Sequence, residues 1–182
     1  MHFIAISGSL RKASFNTMLM HAAVKLAPEG VTLQPETLHG IPLYNGDDED
    51  TTGVPSRVEE LKDAVATADG VILFTPEYNS SVPGVLKNAM DWMSRPPGDV
   101  PRVWGNRPVA VAGASPSPFG TAMAQVHWLP NLRNIGARPY FGAKLYVAKA
   151  FTVFDAEGTL TDESTARHIT AFLQGFADFC SR

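Results

Sequence analysis

Short apolar runs bounded by small or turn-forming residues alternate along the chain with longer stretches in which apolar positions recur at three- and four-residue spacing. The runs Phe3 to Ser7, Val31 to Leu38, Gly70 to Thr75 and Pro108 to Ala114, with a weaker one at Ala143 to Val147, predict strands. Val71-Ile72-Leu73-Phe74 and Val109-Ala110-Val111-Ala112 are continuously apolar rather than alternating, as strands of a parallel sheet covered on both faces must be. Between the strands lie amphipathic stripes. Phe15, Met18, Leu19, Ala22, Ala23 and Leu26 share one face of a helix that Pro28 and Gly30 end. Val58, Leu61 and Val65 mark a second helix. Val85, Leu86, Ala89, Met90 and Met93 mark a third, with Pro83 in its first turn and Pro96-Pro97-Gly98 stopping it. Phe119 to Ile135 is helical in composition, and Pro130 removes a donor from its interior, which predicts a break or kink. The last helix opens near Thr161 with Asp162 and Glu163 in its first turn, and its stripe runs through Ala166, Ile169, Leu173, Phe176, Ala177 and Cys180.

This alternation of strand and helix places the chain in the α/β class, as a doubly wound parallel sheet. At 182 residues and 45% hydrophobic content, one domain over residues 1–182 is expected. A net charge of -3, with the 15 Lys and Arg dispersed, leaves no basic surface for a nucleic-acid backbone. No run of eighteen or so apolar residues occurs, so no membrane span is expected, and the amino terminus leads straight into the first strand without a charged leader. The expectation is a cytoplasmic protein. The single cysteine, Cys180, has no partner for an internal disulfide and reads as core packing.

Two polar loops interrupt this pattern where chemistry can be built. The first strand runs into Gly8-Ser9-Leu10-Arg11-Lys12-Ala13-Ser14-Phe15-Asn16, and the first helix begins within it. Free N–H groups and the positive end of the helix dipole make such a turn an anion site, with Ser9, Ser14 and Asn16 as neutral donors and Arg11 as a charged fork. An ordinary capped helix start fits the same residues. Neither Gly-x-Gly-x-x-Gly nor Gly-x4-Gly-Lys-Ser/Thr is present, so the loop suits a single terminal phosphate rather than a dinucleotide or a triphosphate. After the third strand comes Thr75-Pro76-Glu77-Tyr78-Asn79-Ser80-Ser81-Val82-Pro83-Gly84. In a doubly wound sheet the loops after strands one and three flank the crevice where the winding reverses. Backbone groups and the Tyr78 ring there suit the edge of a planar heterocycle, and a proline-framed surface turn is the alternative. Gly113-Ala114-Ser115-Pro116-Ser117-Pro118-Phe119-Gly120 follows the fourth strand and should reach the same crevice, its small residues permitting close backbone approach.

Other constellations carry no site. Gly-x-Ser-x-Gly is absent, and the histidines at 2, 21, 39, 127 and 168 make no ligand spacing and read as surface or satisfied residues. Asp47-Asp48-Glu49-Asp50 lacks an EF-hand pattern and reads as a solvated loop. Phe119, Trp128 and Leu129 could either cover a subunit contact or pack in the core.

On these residues the chain resembles, over essentially its whole length, the NADPH-dependent FMN reductase family, the flavodoxin-like quinone and chromate reductases. Gly8-Ser9-Leu10-Arg11-Lys12 with Ser14 and Asn16 is similar to the family's FMN phosphate loop. Pro76-Glu77-Tyr78-Asn79, followed by Pro83-Gly84, Leu86-Lys87-Asn88-Ala89 and Asp91-Trp92, is similar to its isoalloxazine loop and following helix. The resemblance implies a flavodoxin-like five-stranded sheet in the order 2-1-3-4-5 and non-covalent FMN, in a homodimer or homotetramer. It implies two-electron transfer from NADPH or NADH to a small acceptor such as a quinone, an azo compound or a metal oxyanion. It assigns residues from Ser9 to Asn16 (Ser9, Leu10, Arg11, Lys12, Ala13, Ser14, Phe15 and Asn16) to the ribityl phosphate, Pro76, Glu77, Tyr78 and Asn79 to the ring, and Ser115 to the ring or ribityl edge. Hydride transfer between nicotinamide and flavin calls for no catalytic acid or base. One stretch departs from the family pattern, which often has a second glycine and an arginine before Ala-Gln. Here Gly120-Thr121-Ala122-Met123 precede Ala124-Gln125. A flavodoxin-type electron carrier between protein partners is the alternative function, against which the modest net charge of -3 weighs because such carriers dock through strongly acidic faces.

Overall fold

A computed structural model describes residues 1–182. The strands are β1 (His2–Ser7), β2 (Thr32–Glu36), β3 (Gly70–Phe74), β4 (Pro108–Ala114), β5 (Arg138–Pro139) and β6 (Tyr146–Val147). The helices are α1 (Phe15–Lys25), α2 (Gly46–Thr52), α3 (Ser56–Thr67), α4 (Gly84–Met93), α5 (Val100–Val103), α6 (Ala122–Asn134) and α7 (Glu163–Cys180). All strand pairs are parallel and the sheet order is β2-β1-β3-β4-β5, the doubly wound order expected. The chain leaves β1 for β2 on one side and returns to β3 on the other, so the carboxyl ends of β1 and β3 define the switch point.

Alternation along the central strands splits the core in two. Phe3 and Ala5 of β1 with Ile72 and Phe74 of β3 pack under α1 and α7, against Leu19, Ala23, Leu173 and Phe176. Ile4, Ile6, Val71 and Leu73 face the other layer, against Val58, Leu61, Leu86, Met90 and Trp128 of α3, α4 and α6. Both faces of the sheet are therefore dry, which is why these strands carry no polar alternation.

Four expectations are corrected. The fifth strand is not one segment at Ala143 to Val147: the edge beside β4 is shared by β5, pairing with Pro108 and Val109, and β6, pairing with Gly113 and Ala114. Pro139 lacks a donor for a continuing ladder, and the intervening residues leave the sheet. Helix α6 begins at Ala122 rather than Phe119 and runs unbroken past Pro130. Pro130 and Val126, whose carbonyl would have accepted the missing N–H, are both exposed, so water can serve that carbonyl. The acidic run is not a loop but the first turn of α2, where Asn45 caps the helix through the N–H of Asp47, and Asp47, Asp48 and Glu49 complement the dipole. Glu49 reaches Arg95 at 2.8 Å, and the guanidinium holds its carboxyl below the usual range. Finally, Pro83 is the residue before α4 rather than within its first turn.

The shared alternatives for the aromatic residues resolve differently. Trp128 is fully buried and its indole N–H donates to Thr75 Oγ1 at 3.0 Å, whereas Phe119 is exposed. Cys180 is half-buried against the α7 side of the core, and burial pushes its thiol up to about 11.

Candidate functional site

Strand β1 delivers its chain to the switch point at Gly8, whose N–H donates to Phe74 O at 2.9 Å. A Cβ at Gly8 would lie 2.8 Å from Leu86 Cδ2 and 3.0 Å from Pro76 Cδ, so only glycine lets this loop close against the loop after β3. The turn that follows is open to an anion. The backbone N–H groups of Ser9, Leu10, Lys12, Ala13, Ser14 and Phe15 find no acceptor within the chain, while Arg11 N donates to Ser9 Oγ. Ser14 is the N-cap of α1 and its Oγ accepts from the N–H groups of Asn16 and Thr17. Ser9 and Ser14 are buried; Leu10, Arg11, Lys12 and Ala13 are exposed.

Asn16 does something its sequence context did not show. Its Oδ1 accepts from Ala114 N and its Nδ2 donates to Ala114 O, both at 2.9 Å, 98 residues away in sequence. The amide thus pins the first turn of α1 to the carboxyl end of β4. One Nδ2 hydrogen remains for a ligand.

The loop after β3 is equally constrained. Tyr78 and Ser81 exchange backbone hydrogen bonds across a two-residue turn in which Asn79 (φ 50°) and Ser80 (φ 57°) are both left-handed. Tyr78 stands exposed beside it, and the N–H groups of Glu77 and Asn79 have no acceptor within the chain. The Glu77 carboxylate is turned onto α6, where Oε2 accepts from Met123 N at 2.9 Å and Ala124 N at 3.0 Å. His127, one turn further along α6, touches Ser81 Oγ through Nδ1 at 3.1 Å. In the third loop Ser115 donates its N–H to Val147 O and accepts at Oγ from Ser117 N, so β6 holds it in place.

These segments line one open cleft with a cavity volume of about 90 Å³. Of the residues expected from sequence, Ser9, Arg11, Ser14, Phe15, Asn16, Pro76, Glu77, Tyr78 and Ser115 line it. Leu10, Lys12, Ala13 and Asn79 do not; they flank it in the same loops. Ala114 and Pro116 line it without having been singled out, although both belong to the loop expected to reach the crevice. A larger hollow of about 200 Å³ lies between α6 and the sheet edge, but its walls are mainly aliphatic and aromatic, among them Val109, Leu129, Leu132 and Phe141. It offers no helix amino terminus to an anion. No grouping of His, Cys, Asp and Glu in the structure could hold a metal ion.

One end of the cleft presents a row of unpaired N–H groups, a helix amino terminus and Arg11; the other has free N–H groups beside an aromatic ring. That donor set fits a phosphomonoester joined to a planar heterocycle, which is the shape of FMN. Residues 1–152 match the family model described as NADPH-dependent FMN reductase. The chain belongs to this family. It is therefore an oxidoreductase that works with FMN and NAD(P)H. Among the FMN reductase family's relatives, an NAD(P)H-dependent FMN reductase of Pseudomonas aeruginosa is 39% identical, with 94% of this chain and 90% of that protein covered. A quinone reductase of Escherichia coli is 37% identical over 98% of this chain and 95% of its own. The solved structure of FerB, a flavoenzyme NAD(P)H:acceptor oxidoreductase of Paracoccus denitrificans, superposes with a TM-score of 0.85 at 37% identity, covering 99% of this chain and 97% of that one. No helix is long and apolar enough to cross a membrane.

Proposed function

We propose that this chain is an FMN-dependent NAD(P)H:quinone oxidoreductase, with the flavin held in the cleft between the loops after β1, β3 and β4. The observation that carries the reading is the polarity of that cleft: unpaired N–H groups and Arg11 at the α1 end, Tyr78 and the Glu77 and Asn79 N–H groups at the other. The backbone of Ser9 to Phe15, with the Ser9 and Ser14 side chains and Arg11, holds the phosphate. Pro76 to Asn79 hold the ring, and Ser115 holds its ribityl edge. Asn16 serves the phosphate chiefly by fixing the loop to Ala114.

When bound, FMN supplies a two-electron relay: a hydride leaves the nicotinamide of NAD(P)H, and two electrons with protons reach the quinone, giving NAD(P)⁺ and hydroquinone. The chain's residues bind, orient and shield. The dry sheet below the cleft excludes water from beneath, and the exposed turns that flank it would leave the bound group accessible to donor and acceptor in succession. A quinone is favoured as acceptor because the side chains beyond the phosphate end are Tyr78, Pro76 and Pro116, with the Glu77 charge directed onto α6. A neutral planar acceptor meets no unpaired charge there. The donor is NADPH in preference to NADH, on the family resemblance.

The reading further includes a homodimer or homotetramer working in the cytoplasm, where NAD(P)H is supplied, and no nucleic-acid partner. The exposed side chains of Phe119, Met123, Val126 and Phe141 provide apolar surface for such an assembly. Light scattering at a mass above 19.6 kDa per particle checks the assembly. The flavin site is tested by titrating the apoprotein with FMN and with riboflavin. Tight one-to-one uptake of FMN, with riboflavin binding at least tenfold more weakly for want of the phosphate, supports it; equal affinity for the two contradicts the assignment of the phosphate end.

A further inference from the structure

Along β4 the backbone N–H and C=O groups of successive residues point to opposite neighbours. Ala112 faces β3, and its C=O accepts from Thr75 N at 2.8 Å. Val109 and Gly113 face the other side, where Val109 O accepts from Tyr140 N at 2.8 Å and Gly113 N donates to Leu145 O at 3.1 Å. Val111, midway between them, faces that side too, but β5 has ended at Pro139 and β6 begins only at Tyr146. The Val111 N–H and C=O therefore have no partner within the chain. They open onto the hollow of about 200 Å³ between α6 and this edge, which Val109 and Val111 both line. Leu129 and Leu132 of α6 wall it on one side, with Pro139, Phe141 and Ala143 on the other. One donor and one acceptor set side by side in apolar walls is the make-up of a small-molecule site, and a matching ligand relieves the cost of leaving both unpaired.

We propose that this hollow is a second binding site, separate from the flavin cleft, for a small neutral aromatic carboxamide. The ring of the ligand lies against Leu129, Leu132 and Phe141, its C=O accepts from Val111 N, and its N–H donates to Val111 O. An apolar cavity of about 150 Å³ holds a benzene ring, so this hollow takes one ring with an amide substituent. A peptide strand is excluded by length: Val109 and Gly113 on either side of the opening are already paired, which leaves room for one donor–acceptor pair and no ladder. A carboxylate would leave Val111 O without a donor. Lys144, the only charged residue lining the hollow, is exposed and keeps its ammonium in water. The site stands independently of what the cleft binds.

The experiment is amide nitrogen–proton correlation NMR of FMN-loaded protein, with hydrogen exchange read residue by residue and benzamide as the probe. Without the probe, the Val111 amide should exchange at least roughly tenfold faster than that of Ala112, which is bonded within the sheet. On titration with benzamide, the Val111 exchange should slow and its signal should shift together with those of Tyr140 and Phe141, saturating at one ligand per chain. Methyl benzoate keeps the ring and the carbonyl but has no N–H, and should bind about fivefold more weakly for want of the bond to Val111 O. Ala143→Leu fills the hollow and should abolish the shifts while leaving the bound-flavin spectrum unchanged. Should that variant not fold, the comparison of the two probes on wild type decides. Exchange at Val111 as slow as at Ala112 overturns the proposal, as does equal affinity for benzamide and methyl benzoate. A Val111 signal that benzamide does not move overturns it too, whether the hollow has closed or a second copy of the chain covers it. Shifts confined to Ser9, Tyr78 and their neighbours would place benzamide in the flavin cleft and overturn it equally.

Discussion

Asn16 and Ala114 are joined by a reciprocal pair of hydrogen bonds, side-chain amide to main-chain amide, that ties the start of α1 to the end of β4 across the top of the sheet. Both residues are buried and both line the cleft. Asn16→Ala removes the pair and leaves the Ala114 N–H and C=O without partners in a dry setting, a loss of about 2–3 kcal/mol. Urea unfolding of the apoprotein should show it as a lower midpoint with an unchanged slope. Asn16→Asp keeps the bond to Ala114 N, sets a carboxylate against Ala114 O and places a negative charge beside the phosphate end. FMN binding should fall further in this variant than in Asn16→Ala.

Arg11 lines the cleft and is exposed. Arg11→Ala should weaken FMN by roughly ten- to a hundredfold, as expected for a charged hydrogen bond to phosphate, and leave riboflavin affinity unchanged. The FMN affinity of wild type should fall with added salt, and that slope should flatten in the variant.

The turn after α4 is held by charges that titrate in acid. Asp99 accepts from Arg102 at 3.0 Å and meets the fully buried Lys62 ammonium at 2.7 Å, and these cations lower its carboxyl to about 2. Its folded value lies below the unfolded one of about 3.9, so the stabilisation is complete above the unfolded value and is lost as pH falls towards 2. Acid unfolding followed by far-ultraviolet circular dichroism should begin at higher pH in Asp99→Asn, and the variant's stability should vary less between pH 4 and 2 than that of wild type.

Burial raises the Cys180 thiol to about 11, so almost no thiolate exists near neutrality. A thiol reagent at pH 8 should label the folded protein slowly and the urea-unfolded protein at the rate of a free cysteine. Fast labelling of the folded chain would show that the end of α7 does not pack as described.

Continuous apolar runs made β1, β3 and β4 legible, because strands buried on both faces leave no ambiguity of period. The edge was not legible: β5 and β6 are two residues each, and their pairing depends on where β4 offers free groups. Likewise the loops that form the cleft could be read as loops, but the use of their side chains could not. Asn16 and Glu77 look like ligands in the one-dimensional pattern, and only the fold brings Ala114 and the first turn of α6 within reach of them. The acidic run misled for the opposite reason. Asn45 as a cap converts clustered carboxylates from mutual repulsion in a loop into partners of a helix dipole.

The central claim is that FMN in this cleft passes two electrons from a nicotinamide to a quinone. Anaerobic stopped-flow absorbance of FMN-loaded protein, mixed first with NADPH or NADH and then with a benzoquinone, tests it most directly. Expected is rapid bleaching of the flavin band by the nicotinamide, faster with NADPH, and full recovery on addition of quinone without any partner protein. Flavin that binds yet is bleached by neither nicotinamide would contradict the claim and make the chain an electron carrier.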